Sequence, residues 1–414
     1  MATIDPANQH WLSLLRDHLR EERYHPCTAR RCIAVARSFL AFVHSRHSSL
    51  TETRPEMVER YLELARRKYR QRNGYLPSYP GWRWSHTSGI HMLLRLAHGQ
   101  WPPAAVTRVD PHVRELCQEY TSSMIALRGL AIETVADRCD EAHRFLKWLG
   151  GRADSEALSG ITITDVDTYM KNRAVALRRP TIKSVATRLR ALLRWLHATG
   201  RTTRDLSTAV IAPTLYAFEG IPSALRSHDV DRVLCIARRD HSPLGLRDYA
   251  ILLLLAKYGL RAGEITGLRL DDVDWHKEVI RIRHTKTGAT SWLPLLPEVG
   301  EAVLKYLQKS RPQTSCREIF VRSRAPYWPF ESGSSLYTPI RRRIDAAGVP
   351  EGGKRGPHAF RHARAVSMIR ACVPLKEIGD VLGHRASDST LVYLKLATED
   401  LRAVALEIPV KVKA

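Results

Sequence analysis

The chain is 414 residues long and 44% hydrophobic, with 65 Lys and Arg against 42 Asp and Glu, a formal net charge of +23 at pH 7. This length predicts about two to four domains, each able to bury a core, and a basic excess spread along the whole chain points to a polyanionic partner. The same composition argues against a disulfide framework or zinc site, since the seven cysteines are odd in number and lack Cys-x-x-Cys spacing, and against a membrane span, since the longest apolar run, Tyr249 to Ala256, falls far short of the ~20 residues a bilayer needs.

The start of the chain has no basic-then-apolar signal pattern, so a cytoplasmic protein is expected. The first helix with a clear period runs from Thr28 to Val43, with Cys32, Ile33, Ala36, Phe39, Leu40 and Val43 apolar. A second runs from Thr134 to Leu149, with Val135, Cys139, Ala142, Phe145, Leu146 and Leu149. The two align: Ala36 with Ala142, Phe39 with Phe145, Leu40 with Leu146. Further on, Tyr61-Leu62 matches Tyr169-Met170, and Leu93-Leu94-Arg95 matches Leu192-Leu193-Arg194. Three matches in one order predict a duplicated helical domain of about four helices. Trp101-Pro102-Pro103 closes the first copy, and the breakers Gly200, Pro213, Gly220 and Pro222 follow the second.

A different pattern begins near Ser227-His228-Asp229, which reads as a helix cap. Asp248 to Tyr258 predicts a strongly apolar helix. Glu278 to Arg283 then alternates, a Thr287-Gly288 turn follows, and Trp292 to Leu295 completes a hairpin. Helices are expected at 297–309, 335–346, 358–372 and 374–382, which makes this part α+β. In the tail, Leu401, Val404, Ala405 and Ile408 fall on one helical face, expected to dock on a neighbouring protomer, with docking on its own domain as the alternative.

Several polar residues in this second half suit phosphodiester chemistry. Arg261 follows Gly259 at the end of an apolar helix, with Glu264 placed to orient its guanidinium. Lys286 stands at the hairpin tip. His358 and Arg361 share a face at the start of a helix, where Pro357 suits the first turn and a phosphate is favoured. His384 ends a Leu-Gly-His step, and Tyr393 follows on an apolar pattern. Each alone reads better as a surface charge or an ordinary core residue. As a set, guanidiniums can neutralise a phosphate, imidazoles can move protons, a lysine can protonate a leaving oxygen and a tyrosine can attack, given cationic neighbours to lower its pKa from ~10.

Taken in order, Arg261-x-x-Glu264, Lys286 in a hairpin, His358-x-x-Arg361, Leu-Gly-His384 and Tyr393 resemble the complete signature of the tyrosine recombinase (integrase) family. The resemblance covers roughly residues 225 to 400, and more loosely 108 to 200, which look like that family's helical core-binding domain. It implies a mainly α amino-terminal half of two four-helix, SAM-like domains and an α+β catalytic domain. The boundaries expected are 1–103 for an additional helical DNA-binding domain, 104–200 for the core-binding domain, 201–226 for a linker, 227–400 for the catalytic domain and 401–414 for the tail. The resemblance further implies that Arg261, Arg361 and His384 hold the scissile phosphate, Lys286 is the general acid, His358 assists Tyr393 as base, Glu264 supports from behind, and Tyr393 becomes a 3′-phosphotyrosyl link. No cofactor and no metal is expected. The expected partners are double-stranded DNA and further copies of the chain, a dimer on each site and a tetramer in synapsis, with other recombinases as additional partners and no membrane. The implied function is integration or transposition of a mobile element. The alternatives are a chromosome-dimer resolvase of the same family, a type IB topoisomerase, and a non-catalytic DNA-binding regulator.

Overall fold

A computed structural model describes residues 6–103, 110–126, 129–154, 157–216, 224–284, 288–351 and 353–383. By its contacts the chain divides into two compact units, Met1–Trp101 with Gly220–Ala414, and Pro102–Glu219.

The first helical segment is α1 (Pro6–Glu21), α2 (Pro26–His44), α3 (Pro55–Asn73) and α4 (Tyr79–His98). The helical period read in the sequence is the buried face of α2, where Cys32, Ala36, Phe39, Leu40 and Val43 are all inside. They share a core with Leu15, Leu19, Ile90, Leu93, Leu94 and Trp101. Helices α2 and α4 meet at Gly89. A Cβ there would lie 2.5 Å from the Cys32 carbonyl oxygen and 2.9 Å from its Cα, so only glycine allows the two backbones to come this close.

The second unit repeats the plan with α5 (Pro111–Ala126), α6 (Ile132–Leu149), α7 (Ile163–Ala176) and α8 (Arg179–Ala198). Every aligned apolar pair is buried in both copies, from Ala36/Ala142 to Leu94/Leu193, and the pair Arg95/Arg194 is exposed in both. The ring geometry repeats as well. Phe39 meets Tyr61 edge-on at 5.2 Å and 83°, and Phe145 meets Tyr169 at 5.0 Å and 78°. Phe42 and Trp148 complete the two three-ring clusters, each 5.4 Å from its tyrosine. Chance resemblance between amphipathic helices does not reproduce side-chain geometry of this kind, which supports a duplication.

The stretch 201–226, expected as a linker, is in part packed structure. Leu206 and Val210 are buried in the second core, and Arg190 Nη2 donates to the Val210 carbonyl at 2.6 Å. Its Pro and Gly residues surround a 3-10 turn, Leu206–Ala209, too short to show a period.

The last segment is built around α10 (Pro243–Tyr258), which follows α9 (Ser227–Arg238). Leu246 and every residue from Ala250 to Leu255 are buried, so α10 has no solvent face over that span. The cap expected at Ser227 to Asp229 lies one residue earlier: Arg226 is the N-cap position and its side chain makes no capping bond. Asp229 instead sits in the first turn, where a negative charge suits the helix dipole, and pairs with Arg232. After α11 (Ala262–Thr266) comes an antiparallel sheet of β1 (Val273–Asp274), β2 (Val279–Arg283) and β3 (Thr290–Pro294), in the order β1-β2-β3. Ile280 pairs with Leu293 and Arg281 with Trp292, which puts Ile280 and Ile282 inward as their alternation requires. The helices α12 (Pro297–Lys309), α13 (Tyr337–Ala346), α14 (Pro357–Arg370) and α15 (Leu375–Leu382) fall where the sequence places them.

Replacing Gly89 with alanine is expected to force α2 and α4 apart and cost about 1–3 kcal/mol, as overpacking does. Urea denaturation of the full chain checks this; an unchanged midpoint for the phase that includes residues 1–101 would contradict the close approach.

Candidate active site

Helix α10 ends at Gly259, whose φ of 67° and ψ of 28° place it in the left-handed region, a common helix stop. A Cβ at this position would also lie 2.8 Å from a Leu382 methyl. Glycine is therefore required twice over, by conformation and by packing. Two residues later Arg261 caps α11. Its backbone N–H donates to Glu264 Oε2 at 2.7 Å and its Nη1 to Oε1 at 2.8 Å. One carboxylate thus fixes both the main chain and the guanidinium of Arg261.

The Glu264 side chain is fully buried and also takes a hydrogen bond from His284 Nδ1 at 2.8 Å. Burial pushes its pKa up, but the bonds from His284 and from the Arg261 backbone and guanidinium outweigh it and hold the carboxyl below its ordinary value. An ionised Glu264 requires the proton on His284 Nδ1. His284 Nε2 lies 2.9 Å from Ser291 Oγ, which ties β2 to β3. The imidazole is itself buried and touches Gly383, where a Cβ would stand 2.4 Å from His284 Cε1.

Arg361 lies on α14, buried to 3% exposure. Its Nη1 donates to the Gly259 carbonyl at 2.7 Å and its Nη2 to the Leu382 carbonyl at 2.6 Å. Arg261 Nη2 donates to the next carbonyl, Gly383, at 3.2 Å. Two guanidiniums from distant parts of the sequence are thus held by consecutive carbonyls at the end of α15, where Gly383 adopts φ 63° and ψ 48°. Carbonyls aim a guanidinium without cancelling its charge, so Arg361 keeps its attraction for an anion, whereas the charge of Arg261 is partly offset by its ion pair with Glu264.

His358 is exposed in the first turn of α14, with Pro357 in the first turn as expected. It lies 6.2 Å from the ring of His362, nearly parallel to it. Burial, reinforced by Lys354, His358 and Arg361, drives the His362 pKa down to about 4.

The structure therefore brings Arg261, Glu264 and Arg361 together, with His358 on the same helix as Arg361. Lys286, His384 and Tyr393 lie outside the described residues, as does the 401–414 tail. Their neighbours are described: His284 and Gly288 flank Lys286, joined by a Gly288 N–H to His284 carbonyl bond of 2.8 Å, and Gly383 immediately precedes His384. The sequence reading passed over His284. The signal was present, because Ile280, Ile282 and His284 continue one inward-facing alternation and so place a polar ring in the core.

The comparisons with known proteins are consistent with this geometry. The model of the phage integrase family matches residues 223–400. A putative integrase/recombinase, y4gC, of Sinorhizobium fredii is 57% identical over 189 residues, covering 46% of this chain and 97% of that protein. A second putative integrase/recombinase of the same organism, y4rA, is 32% identical over 394 residues, covering 94% of this chain and 92% of that protein. The chain belongs to the phage integrase family. It is a tyrosine recombinase by family, and its fold is shared with the XerH site-specific recombinase, whose post-cleavage complex matches with a TM-score of 0.56 at 15% identity over 70% of this chain and 82% of that one.

Two predictions follow from this recombinase site. Substituting His284 by alanine leaves a buried carboxylate one donor short, a loss of about 1.5–3 kcal/mol in local support. Affinity for DNA should hold while the single-turnover cleavage rate falls about ten- to a hundred-fold; an undiminished cleavage rate would show that His284 does not position Arg261. The second concerns pH. The fold favours neutral His362, so its contribution to stability is complete above the ordinary pKa of 6.5 and is lost as the pH falls toward about 4, where the unfolded chain already holds the proton. The melting temperature of His362→Gln should therefore fall less than that of the wild type between these limits, and parallel curves would contradict the burial.

Proposed function

We propose that this chain is a site-specific recombinase of a mobile element, which cuts and rejoins duplex DNA through a covalent link to Tyr393. The supporting observation is the mounting of Arg261 and Arg361 on the consecutive carbonyls of Leu382 and Gly383, directly before His384. Two oriented guanidiniums suit the non-bridging oxygens of one phosphate, where charge accumulates in the transition state. The phenolic oxygen of Tyr393 attacks the phosphorus and its proton passes to His358. The bond from phosphorus to the 5′ oxygen breaks, and Lys286 protonates that oxygen as it leaves. His384 adds a hydrogen bond to the phosphate, and Glu264 with His284 keeps Arg261 in place. The 3′-phosphotyrosyl link retains the bond energy, so attack by another 5′ hydroxyl reseals the strand without ATP. Because the arginines supply the positive charge and Tyr393 the nucleophile, these steps call for no metal ion.

The duplex would bind largely through its phosphates, as the net charge of +23 favours, with a dimer on each site and a tetramer when two sites are paired. A cytoplasmic location suits these partners, and among the described residues no helix is long and apolar enough to cross a membrane. The mobile-element role draws on y4rA, an integrase/recombinase by name, which matches this chain over nearly its whole length, the extra amino-terminal helices included.

The test is covalent trapping on a nicked suicide duplex carrying the element's end. Wild type should form an adduct that resists denaturant. Tyr393→Phe should bind the duplex about as tightly and form none. An adduct surviving in that variant would move the nucleophile elsewhere.

A further inference from the structure

A cavity of about 970 Å³ opens between the amino-terminal helices and the loop 322–330, both within one compact unit. The seam beside it is bridged by Arg23, whose Nη1 donates to Gln313 Oε1 at 3.0 Å. Among the described residues, five arginines line the cavity, Arg31, Arg95, Arg247, Arg322 and Arg324, and no Asp or Glu does. Arg247 and Arg322 are engaged by Asp248 and Glu331. Arg31 and Arg324 reach the cavity from opposite walls, and Arg95 gives its Nε to the Trp101 carbonyl and leaves the rest of its guanidinium in the lining. His91, also in the lining, has its pKa lowered, first by burial and then by the positive charges of Arg95 and Arg83.

Aromatic rings stand among these charges. Trp84 is 57% exposed, with the Arg31 guanidinium 5.7 Å from its centroid. Tyr327 and Phe330 face the cavity from the loop. Cations interleaved with rings, one exposed and two half-buried, fit a ligand that offers both phosphates and bare base faces. A duplex hides its base faces in the stack, and a volume in the range of small-ligand pockets excludes it. We propose that this cavity binds an unpaired nucleic-acid strand a few nucleotides long, with a base against Trp84 and the backbone between Arg31 and Arg324.

The loop that forms one wall continues into Gly333, where a Cβ would lie 2.6 Å from the Gly263 backbone nitrogen, beside Arg261. The cavity and the mounting of Arg261 therefore share one loop. If the chain exchanges strands as proposed above, the strand freed by cleavage is the natural occupant. The binding itself does not depend on that reading.

The experiment measures fluorescence anisotropy of a short labelled oligothymidylate with the full-length chain. Wild type should bind it, with affinity falling as salt rises. Trp84→Ala should weaken binding about ten-fold, the scale of one lost base stack, with the salt slope unchanged. Arg324→Ala, in an exposed loop on the other wall, should weaken it and lower the salt slope. Unaltered melting curves establish that both variants fold, and Arg324→Ala carries the test if Trp84→Ala melts early. Variants that bind like wild type would overturn the proposal. So would competition by a duplex of equal length at equal affinity, which would place the cavity on the duplex path, or by thymidine monophosphate at equal affinity, which would make it a mononucleotide pocket.

Discussion

Glu264 carries a negative charge where no water can solvate it, and the rest of the site is arranged around that fact. A buried carboxylate is tolerable only when donors replace its hydration shell. Here the donors are the backbone N–H and the guanidinium of Arg261 and the imidazole of His284, so one carboxylate aligns the entry into α11 with the base of the β2–β3 hairpin. The backbone donor sets the entry into α11. The guanidinium becomes a fixed cation. The imidazole fixes the base of the β2–β3 hairpin, and it presses on Gly383. The usual account of a second-layer carboxylate is that it steadies one arginine; this one also sets the position of the strand pair and the end of α15.

Much of this was legible in the sequence, for reasons that differ by element. Helices α2 and α6 were readable because a buried helix face repeats with a fixed period, and their duplication because the same apolar residues recur in order. The β2–β3 hairpin was readable from its alternation. Arg261, Glu264, His358 and Arg361 stood out because their charges occur at spacings that bring them onto helix ends. The anchoring of the arginines was not legible, since it uses the carbonyls of Gly259, Leu382 and Gly383, and a carbonyl has no residue identity. Nor was the packed part of 201–226, because the 3-10 turn within it, Leu206–Ala209, is too short to show a period.

The two helical segments show how a duplicated core diverges without losing its plan. Tyr61 and Tyr169 keep the same ring contacts, but the second has acquired a buried acceptor. Tyr169 donates to Glu141, which is 1% exposed and also held by Arg173 at 3.1 Å. The aligned position in the first copy is Val35. An apolar contact tolerates small shifts, whereas a buried carboxylate with fixed donors does not, so the second copy is the more sharply specified of the two.

The placement of Arg261 and Arg361 on neighbouring carbonyls has a mechanical consequence. Those carbonyls lie at the root of the segment that runs on to His384 and Tyr393. Were that segment drawn aside, by a neighbouring protomer or by the path of the DNA, the peptide at 382–383 would move with it and both guanidiniums would lose a hydrogen-bonded support at once. Each guanidinium would keep its other anchor, Gly259 for Arg361 and Glu264 for Arg261, so the two would loosen together and neither would be released alone.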